Sequence, residues 1–235
     1  MLNIFARASV SRVTDPVGAL LVRAGLSPNA MTVIGTIGTV VSALVFFPLG
    51  WAFTASALVT VFVLFDLLDG AMARTAGKVT RYGTVLDASC DRIADGVLFG
   101  AMAWWALVVI GDKITGAAAL VCLVAAQVTS YVKARAEASG LDASGGLVER
   151  AERFIIALVG TGIQGLGVPH AARYALSLLA VLAVITVGQR MTAVWRSAKA
   201  ADAAAASAAP AAAVDPAAAV VVDPGSVADA GEAQE

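Results

Sequence analysis

Histidine and cysteine are nearly missing from this 235-residue chain, which has one histidine, His170, and two cysteines, Cys90 and Cys122. A single imidazole excludes a histidine-rich metal centre and leaves histidine base catalysis to one residue. The cysteines form neither a CxxC pair nor a disulfide framework, which argues against zinc-thiolate and dithiol chemistry. Charge is scarce as well, at 14% of residues, and aromatics make up 6%. Soluble domains carry about a quarter charged residues. A hydrophobic share of 59% and a mean hydropathy of +0.84 describe a chain whose solvent is lipid. The net charge of -1 hides a lopsided layout: six acids and no base lie beyond Lys199, so the part before it carries an excess of five positive charges.

A membrane-spanning helix needs roughly 20 mostly apolar residues, and such runs follow one another from Pro28 to Trp195. The expected fold is an all-α integral membrane protein with six transmembrane helices and an N-terminal interfacial amphipathic helix. The spans are expected over 28–48, from Phe53 to the polar stretch 66–74, from Gly83 to Ile110, over 114–135, from Val148 to Gly165 or Gly167, and from Pro169 to Trp195. Residues 1–25 alternate apolar and basic side chains without a full-length apolar run. They are expected to lie in the interface as a helix rather than to form a cleaved leader. Residues 26–199 then form the transmembrane domain. Residues 200–235, with seventeen alanines among prolines and acids, are expected to be a disordered tail.

Short loops rich in Lys and Arg stay in the cytoplasm. In the six-span arrangement fourteen of the sixteen bases fall on one side, with only Lys113 and Arg173 on the other. Both termini and the connections 75–82 and 135–148 are therefore expected on the cytoplasmic side of the cell membrane.

Ionisable groups inside membrane segments are costly and mark function. Asp66, Asp69, Gly70, Ala73 and Arg74 recur at i, i+3, i+4, i+7 and i+8, one face of a helix, and Gly83, Asp87, Asp91 and Asp95 recur every four residues on the next. The short connection makes the two helices antiparallel neighbours, so Asp66, Asp69, Asp87 and Asp91 can share one pocket. Clustered carboxylate oxygens repel one another unless a cation intervenes, and hard cations such as magnesium or manganese prefer such ligands. Arg74 would face an anion. Gly70 and Gly83 would let a bulky ligand approach the backbone. Asp95 is left outside this set as a supporting group or a partner of Arg92. A carboxylate-lined cation transporter is the reading from another functional class. Against it, the acids gather at one end of the helices, and no symmetry-related acidic segment is present.

The pattern Asp66-x2-Asp69-Gly70-x2-Ala73-Arg74-x8-Gly83-x3-Asp87-x3-Asp91 resembles, at all eight fixed positions, the signature of the CDP-alcohol phosphatidyltransferases. The resemblance implies a reaction at the membrane surface in which an alcohol hydroxyl displaces CMP from a CDP-linked lipid. It implies that Asp66, Asp69, Asp87 and Asp91 hold two divalent metal ions, magnesium first and manganese as the alternative, with Asp91 also accepting the hydroxyl proton. By the same resemblance Gly70, Arg74 and Thr80 contact the CDP group. The stretch Asn29-Ala30-Met31-Thr32 resembles the family's Pro-Asn-x-x-Thr start of the first span, which borders the nucleotide. A plain helix start with proline in the first turn accounts for the same residues equally well.

Lys133, Arg135, Arg153 and Arg190 sit at the ends of three helices on the side that holds the carboxylates, with Ser130 as a further donor. That many cations suit a phosphorylated acceptor, which calls for charge-assisted hydrogen bonds; positive-inside topology is the competing account. The segments 130–137 and 145–153 resemble the phosphatidylinositol phosphate synthases of actinobacteria, which implies CDP-diacylglycerol as donor and inositol phosphate as acceptor. Within the family the alternative is a phosphatidylglycerophosphate synthase, whose acceptor is glycerol 3-phosphate. The resemblance also implies a homodimer, for which Gly96 and Gly100 offer a small-residue step on the third span that local packing within one bundle explains equally well.

Overall fold

The computed structural model describes residues 15–76 and 80–208; for residues 66, 67, 75, 76, 207 and 208 it describes only the course of the backbone. Residues 1–14 of the expected interfacial helix, Lys78, the side chain of Asp66 and the tail beyond 208 lie outside the described residues. Among the described residues the chain is all helical: α1 (15–23), α2 (Pro28–Phe46), α3 (Ala52–Ala76), α4 (Arg81–Trp104), α5 (Lys113–Ala138), α6 (Arg150–Gly165) and α7 (Ala171–Ala208). Five of these, α2, α3, α4, α5 and α7, are long and apolar enough to cross a membrane, and the chain is a multi-pass integral membrane protein.

The ends of the helices follow from local chemistry. Ser27 caps α2, its Oγ accepting from the Ala30 N–H at 3.2 Å, and Pro28 takes the first turn, where its missing N–H costs nothing. Thr80 caps α4 by accepting from the Gly83 N–H, and Asp112 caps α5 by accepting from Ile114 and Thr115. Helix α4 does not stop at Trp104. It runs on through a π-helical turn, Trp105–Val109, that ends ahead of Gly111, whose φ of 68° requires glycine. The α7 helix continues past Lys199, where the tail was expected to begin, because the alanine-rich stretch that follows has the highest helix propensity of any residue type.

Small residues let the helices approach one another. A Cβ on Gly165 would lie 2.3 Å from the backbone nitrogen of Phe53, and one on Gly160 would lie 2.2 Å from the Ala175 Cβ, which brings α6 close to α3 and α7. Around these contacts Phe47, Phe99, Leu98, Met102, Leu176 and Leu179 form a fully buried core. Gly96 and Gly100 face α5 of the same chain: a Cβ on each would meet Gln127 and Leu123 respectively. The small-residue step therefore serves packing within the bundle. Helix α1 lies on α3, where Gly18 permits close approach to the Ala71 and Met72 backbone.

Candidate active site

Two cavities open at the end of the bundle that carries the C-terminal part of α3 and the start of α4. The first, of about 140 Å³, is lined by Pro28 and Asn29 at the start of α2, Thr32, Asp69, Gly70 and Ala73, then Thr80, Gly83, Thr84 and Asp87. Asp69 is 7% exposed and takes a short hydrogen bond from the Thr32 hydroxyl, which fixes one carboxylate oxygen and leaves its charge on the cavity wall. A Cβ on Gly83 would lie 3.0 Å from Thr80 Oγ1 and 3.1 Å from Asn29 Oδ1, so glycine keeps this cleft open.

The second cavity, about 890 Å³, opens one turn further along α4. Asp91, Arg92, Gln127, Ser130, Lys133, Glu137, Glu149, Arg150, Arg153 and Arg190 supply its polar lining. Asp87 and Asp91 stand one helical turn apart, so one face of α4 joins the two cavities. Arg150 Nη1 is 2.9 Å from Asp91 Oδ1, and Arg150 Nε is 3.1 Å from Asp95 Oδ1. Arg190 is oriented by carbonyl oxygens, donating to Gly145 and to Thr129, both at 3.1 Å. Those bonds fasten the glycine-rich loop and α5 to α7.

The residues expected from sequence divide accordingly. Asn29, Thr32, Asp69, Gly70, Thr80 and Asp87 meet in the first cavity, and Asp91, Ser130, Lys133, Arg153 and Arg190 in the second. Ala30 and Met31 line neither; Met31 is buried in the core. Arg135 is exposed and does not line the pocket. Arg74 stands at the rim, its side chain 60% exposed and 3.4 Å from Asp15 of α1. Sequence reasoning missed Arg150 as a pocket residue, having counted it only as a topological base, and Gln127 and Arg92 as its neighbours. The one signal available was Asp95, a buried acid whose burial demands a nearby cation. His170 lies in the α6–α7 turn, at the other end of α6 from Arg150, and takes no part in the site.

Among the described residues no three acids, cysteines or histidines converge as a metal site, and Asp66 falls outside that set. The donor set nevertheless fits a hard divalent cation, since Asp69 and Asp87 present carboxylate oxygens to one small cavity with no sulfur or imidazole nearby.

A third cavity, about 620 Å³ and almost wholly apolar, runs between α3 and α6 from Phe53 and Leu166 to Arg150. It leads from the apolar flank of the bundle to the basic pocket.

Comparison with known proteins identifies the family. Residues 25–187 match the profile described as CDP-alcohol phosphatidyltransferase. The chain is 52% identical to the phosphatidylinositol phosphate synthase of Mycobacterium marinum, covering 84% of this chain and 86% of that one, and 44% identical to that of Streptomyces avermitilis, covering 87% and 86%. A crystal structure of the Mycobacterium tuberculosis phosphatidylinositol phosphate synthase with CDP-DAG bound superposes with a TM-score of 0.74 at 49% identity, over 78% of this chain and 94% of that one. A second structure of that enzyme, in complex with manganese and citrate, gives 0.75 at 48% identity, over 78% and 89%. With a profile match over most of its length and relatives at this identity, the chain belongs to the CDP-alcohol phosphatidyltransferase family.

Proposed function

We propose that this protein transfers the phosphatidyl group of CDP-diacylglycerol to a hydroxyl of inositol phosphate, releasing CMP and forming phosphatidylinositol phosphate. The observation that carries the reading is the juncture on α4, where a carboxylate cavity ends at Asp87 and an arginine-rich pocket begins at Asp91. A donor pyrophosphate beside Asp69 and Asp87 and an acceptor phosphate among Lys133, Arg153 and Arg190 would bring the acceptor hydroxyl to Asp91. The relatives bearing the name phosphatidylinositol phosphate synthase support the same donor and acceptor.

In this reading Asp66, Asp69, Asp87 and Asp91 hold two divalent ions, magnesium or manganese, which when bound neutralise the pyrophosphate and stabilise the leaving CMP oxygen. Thr32 keeps Asp69 in place, and Asn29, Gly70, Arg74 and Thr80 border the CDP group. Asp91 takes the proton as the acceptor oxygen bonds to the lipid-linked phosphorus and the bond from that phosphorus to the CMP oxygen breaks. Ser130, Lys133, Arg153 and Arg190 orient the acceptor through its phosphate, and the α3–α6 groove takes one acyl chain of the donor.

Helix α6 serves as a sixth span. Its sixteen residues rise about 24 Å, which is short for lipid, but its N-terminal Arg150 reaches the headgroup level within the basic pocket. Both termini and the two cavities face the cytoplasm, and α1 lies in the interface. A homodimer would form through surfaces other than Gly96 and Gly100.

The test is CMP release by the purified protein with CDP-diacylglycerol, magnesium and one of inositol phosphate, inositol or glycerol 3-phosphate. Inositol phosphate alone should support turnover. Release with glycerol 3-phosphate instead would make the protein a phosphatidylglycerophosphate synthase.

A further inference from the structure

Asp95 is the most deeply buried acid of the bundle for which the proposed reaction has no use. It is 1% exposed and does not line either polar cavity, yet three guanidinium groups converge on it. Its Oδ1 is 3.1 Å from Arg150 Nε, and its Oδ2 is 3.3 Å from Arg92 Nη2 and 3.7 Å from Arg153 Nη2. Arg92 belongs to α4, the other two to α6, and all three line the basic pocket from which Asp95 itself is hidden. The fourth arginine of the pocket, Arg190, is oriented by carbonyl oxygens instead.

We propose that Asp95 is a positioning residue for acceptor recognition, holding Arg92, Arg150 and Arg153 in one cluster at the wall of the acceptor pocket; this rests on the acceptor reading given above. Three guanidinium groups at such range repel one another, and a buried carboxylate between them lets them stand together. The Oδ2 atom has no hydrogen-bond partner among the described residues, so it attracts Arg92 and Arg153 by charge without taking a hydrogen bond from either. A carboxylate that took strong bidentate bonds would compete with a ligand phosphate for the same N–H groups. One that hydrogen-bonds Arg150 alone and draws Arg92 and Arg153 in without taking their N–H groups prepares a phosphate site. The helix register supports the assignment: Asp95 lies one turn beyond Asp91 on the same face of α4, so the carboxylate that gathers the arginines and the one that takes the hydroxyl proton are built on one rigid element. Gln127 of α5 donates to the Arg92 carbonyl at 3.0 Å, and Arg92 donates to the Ala126 carbonyl at 3.4 Å, which fixes this part of α4 on its neighbour.

The experiment is steady-state kinetics of the purified full-length Asp95→Asn protein with each substrate varied in turn. The KM for inositol phosphate should rise about tenfold, equivalent to one charge-assisted contact, while the KM for CDP-diacylglycerol stays within about twofold. Asp95→Glu, which restores the charge, should recover part of the acceptor affinity. An unchanged acceptor KM, or a parallel rise in both, overturns the proposal. If Asp95→Asn does not fold, the Asp95→Asn/Arg150→Gln double variant removes one charge of each sign, and its acceptor KM is compared with that of Arg150→Gln alone: a further rise supports the proposal, and equal values overturn it. Arg153→Gln separates the two ideas. If it too leaves the acceptor KM unchanged, the acceptor reading fails; if it raises that KM and Asp95→Asn does not, only the role of Asp95 fails.

Discussion

Arg150 Nη1 lies 2.9 Å from Asp91 Oδ1, which ties the last carboxylate of the signature on α4 to the first residue of α6. That ion pair orients one carboxylate oxygen of Asp91, the residue proposed to accept the hydroxyl proton. Arg150 also bridges to Asp95, so Asp91 is oriented by the cluster that lines the acceptor pocket.

Asp91→Asn should therefore lower turnover by at least a hundredfold while leaving CDP-diacylglycerol binding largely intact. Asparagine still offers a carbonyl oxygen to a metal and to Arg150, but it takes no proton from the acceptor hydroxyl. CMP release at near-normal rate from a folded variant, alongside normal donor binding in a direct titration, would remove Asp91 from the proton-transfer step.

Changing Arg153 or Arg190 to Gln should raise the KM for inositol phosphate by roughly ten- to a hundredfold for each lost charge-assisted contact. The KM for CDP-diacylglycerol should hardly move, because the first cavity lies on the far side of the Asp87–Asp91 edge. If the arginines serve topology alone, neither KM changes, since a dozen other bases still set orientation. Arg135→Gln is the control: its side chain is exposed outside the pocket and should have no effect on either constant.

The carboxylate face of α4 was legible in the sequence because helical periodicity is strict: acids every four residues can share only one side. Asp87 and Asp91 nevertheless part company, one facing the small cavity and the other Arg150, and no spacing rule encodes which way a side chain turns. Arg150 was missed for the same reason. At a helix start after a glycine-rich loop it looks like any cytoplasmic base, and only packing of α6 beside α4 makes it the partner of Asp91 and Asp95. The Gly96–Gly100 step was ambiguous because a small-residue face fits a helix of its own chain as well as one of a second copy. The continuation of α7 beyond Lys199 was hidden by composition. Alanine lowers the apparent complexity of a segment yet is the best helix former, so α7 runs on to Ala208.

Close packing of α6 on α3 predicts an asymmetric response to alanine. Gly165→Ala places a Cβ 2.3 Å from the Phe53 backbone nitrogen, a contact that only backbone movement relieves, and should cost about 1–3 kcal/mol. Gly188→Ala, where a Cβ would meet nothing within 4 Å, should be neutral or slightly stabilising. Melting temperatures of the two variants in one detergent compare them directly, and equal values would contradict the close approach.

Asp112, ahead of α5, bonds Arg173 of α7 at 2.9 Å and caps α5 through Thr115. Burial alone would raise its pKa, but the bonds from Arg173 and Thr115 outweigh burial and hold it at about 2 against the usual 3.8. A depressed folded-state pKa stabilises the fold above the unfolded value and ceases to do so as pH falls through the folded one. The melting temperature of the wild type should therefore exceed that of Asp112→Asn above about pH 4, with the gap closing between about pH 4 and pH 2. A gap that persists unchanged to pH 2 would show that the clasp acts through shape and not through charge.

Sidedness decides whether both cavities meet cytoplasmic substrates. In the six-span arrangement proposed above, fourteen of sixteen bases fall on the side of the α5–α6 loop, and Lys113 and Arg173, at the α4–α5 and α6–α7 turns, fall on the other. Cysteines introduced at Ser144 and at Lys113, both exposed, report the two faces. The native Cys90 and Cys122 are buried and serve as a low background. A membrane-impermeant thiol reagent applied to intact cells should label Lys113→Cys and spare Ser144→Cys, and inverted vesicles should reverse the pattern. The argument is electrostatic: translocating the many bases of one face is disfavoured by far more than translocating two. Labelling of Ser144→Cys from outside would place Asp69, Asp87 and the basic pocket on the wrong side of the membrane for a cytoplasmic inositol phosphate, and the proposed acceptor would fall with the topology.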